Sequence, residues 1–215
     1  MNLLAAERAE VVSFARRMAA SGLVAGTSGN VSRRAGSLVA VTPRNRDYES
    51  MTADDVCVVD LAGHPVEGSR RASTETPMHL AIYRAFEPGA VVHTHSPFAT
   101  VIGSVAPELP AVHYLVATLG GPVRVAPYHV FGSDDLARAV VAAGEDRSAV
   151  ILGTHGAITW GSDLAEAFRR SMTLEWLAAL YWRACQLGSP RILSPEELAE
   201  VARQLERLEY TASGR

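Results

Sequence analysis

The chain contains no lysine: all 20 of its basic residues are arginine. Chemistry that runs through a side-chain amine is therefore closed to it, including Schiff-base catalysis, pyridoxal phosphate attachment and the lysine-containing phosphate loop of nucleotide hydrolases. Cysteine is almost as scarce. Cys57 and Cys185 lie far apart and form no Cys-x-x-Cys pattern, which argues against a disulfide framework or a thiolate zinc site and for two buried, reduced thiols. No stretch approaches about 18 uninterrupted apolar residues, and Glu7 and Glu10 break the first apolar segment. Neither a membrane span nor a secretory signal is expected, and a cytoplasmic protein is. Net charge is -3 with mixed signs and no basic block, which excludes an electrostatic footprint for nucleic acid or an anionic membrane and leaves small molecules as the expected partners. What is present is 215 residues of 48% hydrophobic composition, enough for one sizeable core, read as a single domain over 1–215.

Within that frame, Val91-Val92-His93-Thr94-His95 carries the most chemistry. β-branched residues lead into a His-x-His, and the period of two on a strand puts both imidazoles on one face. A zinc-like ion needs three or four ligands, so two such histidines are half a site, with Glu75 upstream and His155 downstream as candidates for the rest. The dipeptide alone is equally consistent with a pair of hydrogen-bonded core histidines.

The remaining punctuation is regular. Apolar residues at helical spacing over 3–20, with Asn2 as a cap and Gly22 as a left-handed stop, predict an opening helix. Ala25-Gly26-Thr27-Ser28-Gly29-Asn30 is a small-residue loop entering a strand, readable as an anion-cradling nest or as an ordinary turn. Hairpins are expected around Ala35-Gly36 and Ala62-Gly63, with the Thr42-Pro43-Arg44-Asn45 bend between them. A helix starts near Glu75 with a hydroxyl from Ser73 or Thr74 at its cap, and its N-terminus suits an anion. A helix over 96–104, a strand near 123–126, a Ser133-capped helix over 134–143, two strands flanking the Gly-bracketed His155, a long helix over 164–187 and a last helix after Ser194-Pro195 complete the chain. On the long helix, Phe168, Met172, Trp176, Leu180, Tyr181 and Ala184 form a stripe expected to face the core or a subunit interface.

Taken in order, Gly-Thr-Ser-Gly-Asn-Val-Ser (26–32), Thr-Pro (42–43), Ser-Thr-Glu (73–75), His-x-His (93–95), His-Tyr (113–114) and Thr-His-Gly (154–156) resemble the class II aldolase/adducin-head family over about residues 20–190. The resemblance implies a three-layer α/β/α sandwich around a mainly antiparallel central sheet, and a four-fold homotetramer with active sites between neighbouring subunits. It implies one zinc ion per subunit held by His93, His95 and His155, with Glu75 as fourth ligand or base. It also implies a phosphate-binding set of Thr27, Gly29, Asn30, Asn45, Ser73 and Thr74, a proton donor at Tyr114 supplied across the interface, and substrate contacts at Arg44 and Tyr210. Two departures from the family pattern stand out: Arg44-Asn45 where a small residue and Gly are usual, and Ser73-Thr74 for the usual Ser-Ser.

The implied reaction is cleavage of L-fuculose 1-phosphate, or a related ketose or deoxysugar phosphate, to dihydroxyacetone phosphate and an aldehyde. Breaking a carbon–carbon bond next to a carbonyl leaves an enediolate. Without lysine to form an iminium, its charge must fall on a Lewis acid. The family also holds phosphopentose 4-epimerases, which typically carry Asp where this chain has Glu75, decarboxylases and dehydratases of phosphosugar acids, and non-catalytic adducin-like modules. Two histidines and a carboxylate could instead bind non-haem iron, against which the third histidine argues.

Overall fold

The computed structural model of the chain describes residues 3–208. Helix α1 (Ala5–Ala20) is entered through Leu4 in the left-handed region at φ 54°, and Gly22 at φ 71° lies just past its end. The expected Asn2 cap lies outside the described residues. Strands β1 (Asn30–Ala35) and β2 (Leu38–Val41) form the first hairpin, β3 (Cys57–Asp60) and β4 (Pro65–Glu67) the second. There follow α2 (Thr76–Phe86), β5 (Ala90–Thr94), α3 (Pro97–Val105), β6 (Glu108–Leu109), a 3-10 helix (Tyr114–Leu119) and β7 (Val123–Ala126). The chain closes with α4 (Asp134–Ala143), β8 (Ala149–Leu152), β9 (Gly156–Gly161), α5 (Leu164–Leu187) and α6 (Pro195–Arg207).

The nine strands make one sheet in the order β4-β3-β2-β1-β5-β9-β8-β7-β6. It is a mixed sheet: β7 pairs with β8 in parallel, joined through α4, while the hairpins and the pairings around β5 are antiparallel. The expectation of a mainly antiparallel sheet is corrected accordingly, because a crossover helix returns β8 alongside β7 in the same direction.

β5 lies inside the sheet and all five of its residues are buried, so both faces must be covered. Ala90 and Val92 pack with Val11, Ala15 and Met18 of α1 and with Leu164 and Phe168 of α5. Val91 points the other way, toward Met78 and Ile82 of α2 and Leu136 and Val140 of α4. Ile102 of α3 joins Ile151, Leu174 and Leu177 in a third cluster. Helices α1, α3 and α5 thus cover one face, α2 and α4 the other.

On α5 the buried residues include Ala167, Phe168, Ser171, Leu174, Leu177 and Ala178, so Phe168 of the expected stripe faces the core, while Met172 and Trp176 stand 41% and 48% exposed, on the face left for a subunit interface. Small residues let the helix approach β9 closely enough for Ser171 Oγ and Thr159 Oγ1 to lie 2.6 Å apart, which turns the bulky residues outward. Cys57 is buried as expected, but Cys185, near the end of α5, is exposed.

Candidate active site

Three separate segments converge on one point. β5 sits between β1 and β9, with His93 opposite Asn30 on one side and Ile158 on the other. His95 follows just beyond the end of β5, and His155 comes from the short turn joining β8 to β9, after Thr154 at φ 52°. Glu75 occupies the cap position of α2. The expected hydroxyl cap is displaced: Ser73 Oγ instead accepts the N–H of Glu75 at 3.2 Å.

Close approach of backbones makes this possible. Gly29, at φ 77°, enters β1 where a Cβ would lie 2.8 Å from the His93 carbonyl oxygen and 2.6 Å from Val24 Cγ1. Only glycine fits both the space and the left-handed conformation. Tyr48 fastens the same loop from below, its hydroxyl donating to the Gly29 carbonyl at 2.5 Å.

The imidazoles of His93, His95 and His155 stand edge to face with ring centroids 5.0, 5.0 and 4.9 Å apart. Glu75 Oε2 is 3.0 Å from His93 Nε2 and Oε1 is 3.2 Å from His155 Nε2, and one donor atom from each of the four residues falls within 4.8 Å of all the others. His93 Nδ1 lies 2.9 Å from the Ala157 carbonyl, which can only accept, so Nδ1 carries a proton and Nε2 is the atom turned toward the cluster, free to ligate once it is bare. Despite the short distances, His93 Nε2 and Glu75 Oε1 are buried without a hydrogen bond of acceptable geometry. Orphaned atoms of this kind within one cluster fit a divalent cation bound by nitrogen and carboxylate oxygen.

The electrostatics suit the same occupant. Burial pushes the Glu75 carboxyl up, but the imidazoles of His93 and His155 outweigh it and hold the group well below the usual carboxylate range. Burial, with His93 and His155 alongside, lowers His95 to about 4, so its ring is neutral and able to ligate at neutral pH.

Above this cluster opens a cleft of about 520 Å³. Thr27, Gly29 and Asn30 line one wall, Arg44 and Asn45 the next, and Ser73 and Thr74 a third, with His95 and His155 at the base. Asn45 adopts φ 51°, the left-handed conformation that glycine would take most easily and asparagine tolerates. The Arg44 side chain is exposed and makes no ion pair or hydrogen bond among the described residues. Tyr128 and Phe131, 65% and 63% exposed, put aromatic surface on the rim.

The remaining expected residues lie as follows. Tyr114, expected to act across an interface, does not line the cleft of its own chain; it begins the 3-10 helix, 48% exposed, its ring 4.4 Å from that of His113. Tyr210 lies outside the described residues. Asn30 reaches the cleft, but its amide is engaged by Glu75 at 2.9 Å and by His79 at 2.6 Å. His79 was overlooked because α2 reads as an apolar run. The available signal was the four-residue spacing of Glu75, His79 and Tyr83, which marks a polar stripe on one helix face.

Known proteins match this chain almost end to end. The model of the family described as Class II Aldolase and Adducin N-terminal domain matches residues 9–182. A 5-deoxy-D-ribulose 1-phosphate aldolase of Bacillus thuringiensis is 41% identical, covering 95% of this chain and 97% of its own. A 5-methylthioribulose-1-phosphate/5-deoxyribulose-1-phosphate aldolase of Rhodospirillum rubrum is 38% identical over 89% of this chain and 87% of its own. Among solved structures, an L-fuculose 1-phosphate aldolase superposes with a TM-score of 0.91 at 33% identity, covering 94% of this chain and 96% of that one. The chain belongs to the class II aldolase and adducin N-terminal domain family.

Proposed function

We propose that the chain is a metal-dependent aldolase that cleaves a 5-deoxypentulose 1-phosphate or a similar ketose 1-phosphate to dihydroxyacetone phosphate and a short aldehyde. The observation that carries this reading is the convergence of Glu75 with three histidines at the base of a cleft walled by hydroxyl and amide groups. The greater identity to the deoxyribulose phosphate aldolase, 41% against 33% for the L-fuculose 1-phosphate aldolase structure, supports the choice of a deoxypentulose over L-fuculose 1-phosphate. Both sugars end in a methyl group, which the aromatic rim of Tyr128 and Phe131 suits.

His93, His95 and His155 would hold a zinc ion, one per subunit, with Glu75 as fourth ligand or as base. A bound zinc ion supplies the Lewis acidity that an enediolate requires where no lysine exists. The chain's own groups do the rest. Thr27, Asn45, Ser73 and Thr74 bind the phosphate beside the start of α2, with Arg44 adding a positive charge. Glu75 exchanges the proton at the carbon that loses the aldehyde. Tyr114 handles the proton on the aldehyde oxygen, delivered from a neighbouring subunit of a cytoplasmic homotetramer, which accounts for its exposed position away from its own cleft.

The unpaired Arg44 guanidinium favours one second reading, a decarboxylase or dehydratase acting on a phosphosugar acid. Two substitutions separate the roles. His95→Ala removes both bound zinc and turnover, and retention of either would refute the ligand assignment. Tyr114→Phe lowers turnover by about 10²-fold with zinc still bound; unchanged turnover would assign the acid elsewhere.

A further inference from the structure

Behind the cleft runs a row of buried polar groups. Asn30 and Ser32 are two apart on β1 and share a face; Glu75, His79 and Tyr83 are four apart and share the stripe of α2 that covers it. Asn30 Nδ2 donates to Glu75 Oε2 at 2.9 Å, and Asn30 Oδ1 lies 2.6 Å from His79 Nε2. Ser32 Oγ is 2.7 Å from His79 Nδ1 and 2.8 Å from the Tyr83 hydroxyl. Ser32, His79 and Tyr83 are fully buried, and Asn30 and Glu75 are 3% and 6% exposed.

The direction of every bond follows from one end. An ionised carboxylate only accepts, so the Asn30 amide must turn its NH2 to Glu75 and its carbonyl oxygen to His79. His79 must then carry its proton on Nε2, which leaves Nδ1 to accept the Ser32 hydroxyl, whose oxygen in turn accepts from Tyr83. No other arrangement with a neutral imidazole satisfies all the groups. We propose that Asn30 and His79 are positioning residues that pin Glu75 Oε2 from behind. The other oxygen, Oε1, lies 3.2 Å from His155 Nε2, forms no hydrogen bond among the described residues, and is left as the one that serves the metal or the proton. The inference rests on the aldolase reading only for what Glu75 does in turnover.

The test uses the full chain loaded with zinc. Nitrogen-15 histidine NMR of the unaltered protein is expected to show His79 protonated on Nε2 and bare on Nδ1; a proton on Nδ1 would reverse the row and overturn the proposal. In zinc competition, His79→Leu is expected to bind zinc about tenfold more weakly, and His79→Gln, whose amide can still donate to Asn30, to recover to within about threefold. Turnover should follow the same order with KM for the phosphorylated sugar unchanged, a pattern that lost packing alone does not produce. A His79→Leu protein with the zinc affinity and kcat of the parent would sink the idea. Absence of cleavage by the unaltered protein counts against the aldolase reading alone, since tautomer and zinc affinity still decide this one. Should His79→Leu not fold, the tautomer decides by itself.

Discussion

Replacing Gly156 by alanine tests how closely the two ligand-bearing segments must approach. Gly156 opens β9 directly after His155, and a Cβ there would lie 2.1 Å from the Thr94 carbonyl oxygen and 3.2 Å from His95 Cα. Its backbone is not in the left-handed region, so crowding and not conformation is at stake. Non-bonded heavy atoms settle at roughly 3.5 Å, so β9 and β5 must part by about 1.4 Å. The obstruction is main chain and cannot rotate away, which sets the cost near the upper end of overpacking, about 3 kcal/mol. For a chain of this length that lowers Tm by about 6–12 °C. His155 and His95 flank the contact and separate with it, and a misplacement of about 1 Å costs on the order of 10²-fold in turnover. Thermal unfolding with zinc competition reads both effects. Gly36→Ala is the control: at φ 61° with nothing within 4 Å, it should cost about 1–2 kcal/mol from backbone strain and leave zinc affinity alone. A Gly156→Ala protein with parental Tm and zinc affinity, or equal zinc losses at both glycines, would refute the reasoning.

Zinc at about one hundred times its Kd should stabilise the fold by about 2.7 kcal/mol, a Tm shift of about 5–11 °C that a chelator abolishes; no shift with zinc bound would mean that the cluster is satisfied without it. Asp55 sits beside the cleft loop, where burial raises its carboxyl but Thr52, Arg70 and Arg46 bring it down to about 2. A depressed carboxyl stabilises above its unfolded value of about 4 and loses that contribution as pH falls toward about 2. Asp55→Asn should therefore cost about 1–2 kcal/mol in urea unfolding at pH 7, with the gap to the parent closing between about pH 4 and pH 2; a gap that persists at the acid end would reject the ion-pair explanation. Trp176→Glu, on the outward face of α5, should lower the assembled mass in sedimentation and reduce turnover together, since the tetramer is proposed to share Tyr114 between subunits; a smaller assembly with full activity would reject that sharing.

Much of this fold is written in local chemistry. Asp163, whose carboxylate accepts the Glu166 N–H at 2.7 Å, and Gly188 bracket α5 at the bounds its periodicity indicates. Ser133 and Ser194 cap α4 and α6 as their sequences suggest. What escapes is decided at a distance. The two residues of β6 are too few to show a period, and the parallel pairing of β7 with β8 depends on where α4 returns the chain. On α5, periodicity does not separate core from outward face, because burial there selects small residues that fit against β9 beside Phe168 and leaves Met172 and Trp176 outside. At the site, histidine spacing marks the metal cluster, whereas the role of Asn30 depends on His79, 49 residues away. Tyr114 lies outside the cleft lined by the histidines of its own chain, a placement that spacing along one sequence does not reveal.

The most direct measurement is cleavage of a panel of ketose 1-phosphates, including 5-deoxyribulose 1-phosphate and L-fuculose 1-phosphate, by zinc-loaded protein and by a chelated control, with release of dihydroxyacetone phosphate as the readout. Release that depends on zinc and is fastest for a deoxypentulose phosphate is the expected result. No release from any sugar, with one zinc confirmed per chain, would contradict the aldolase assignment and turn attention to phosphosugar acids at Arg44.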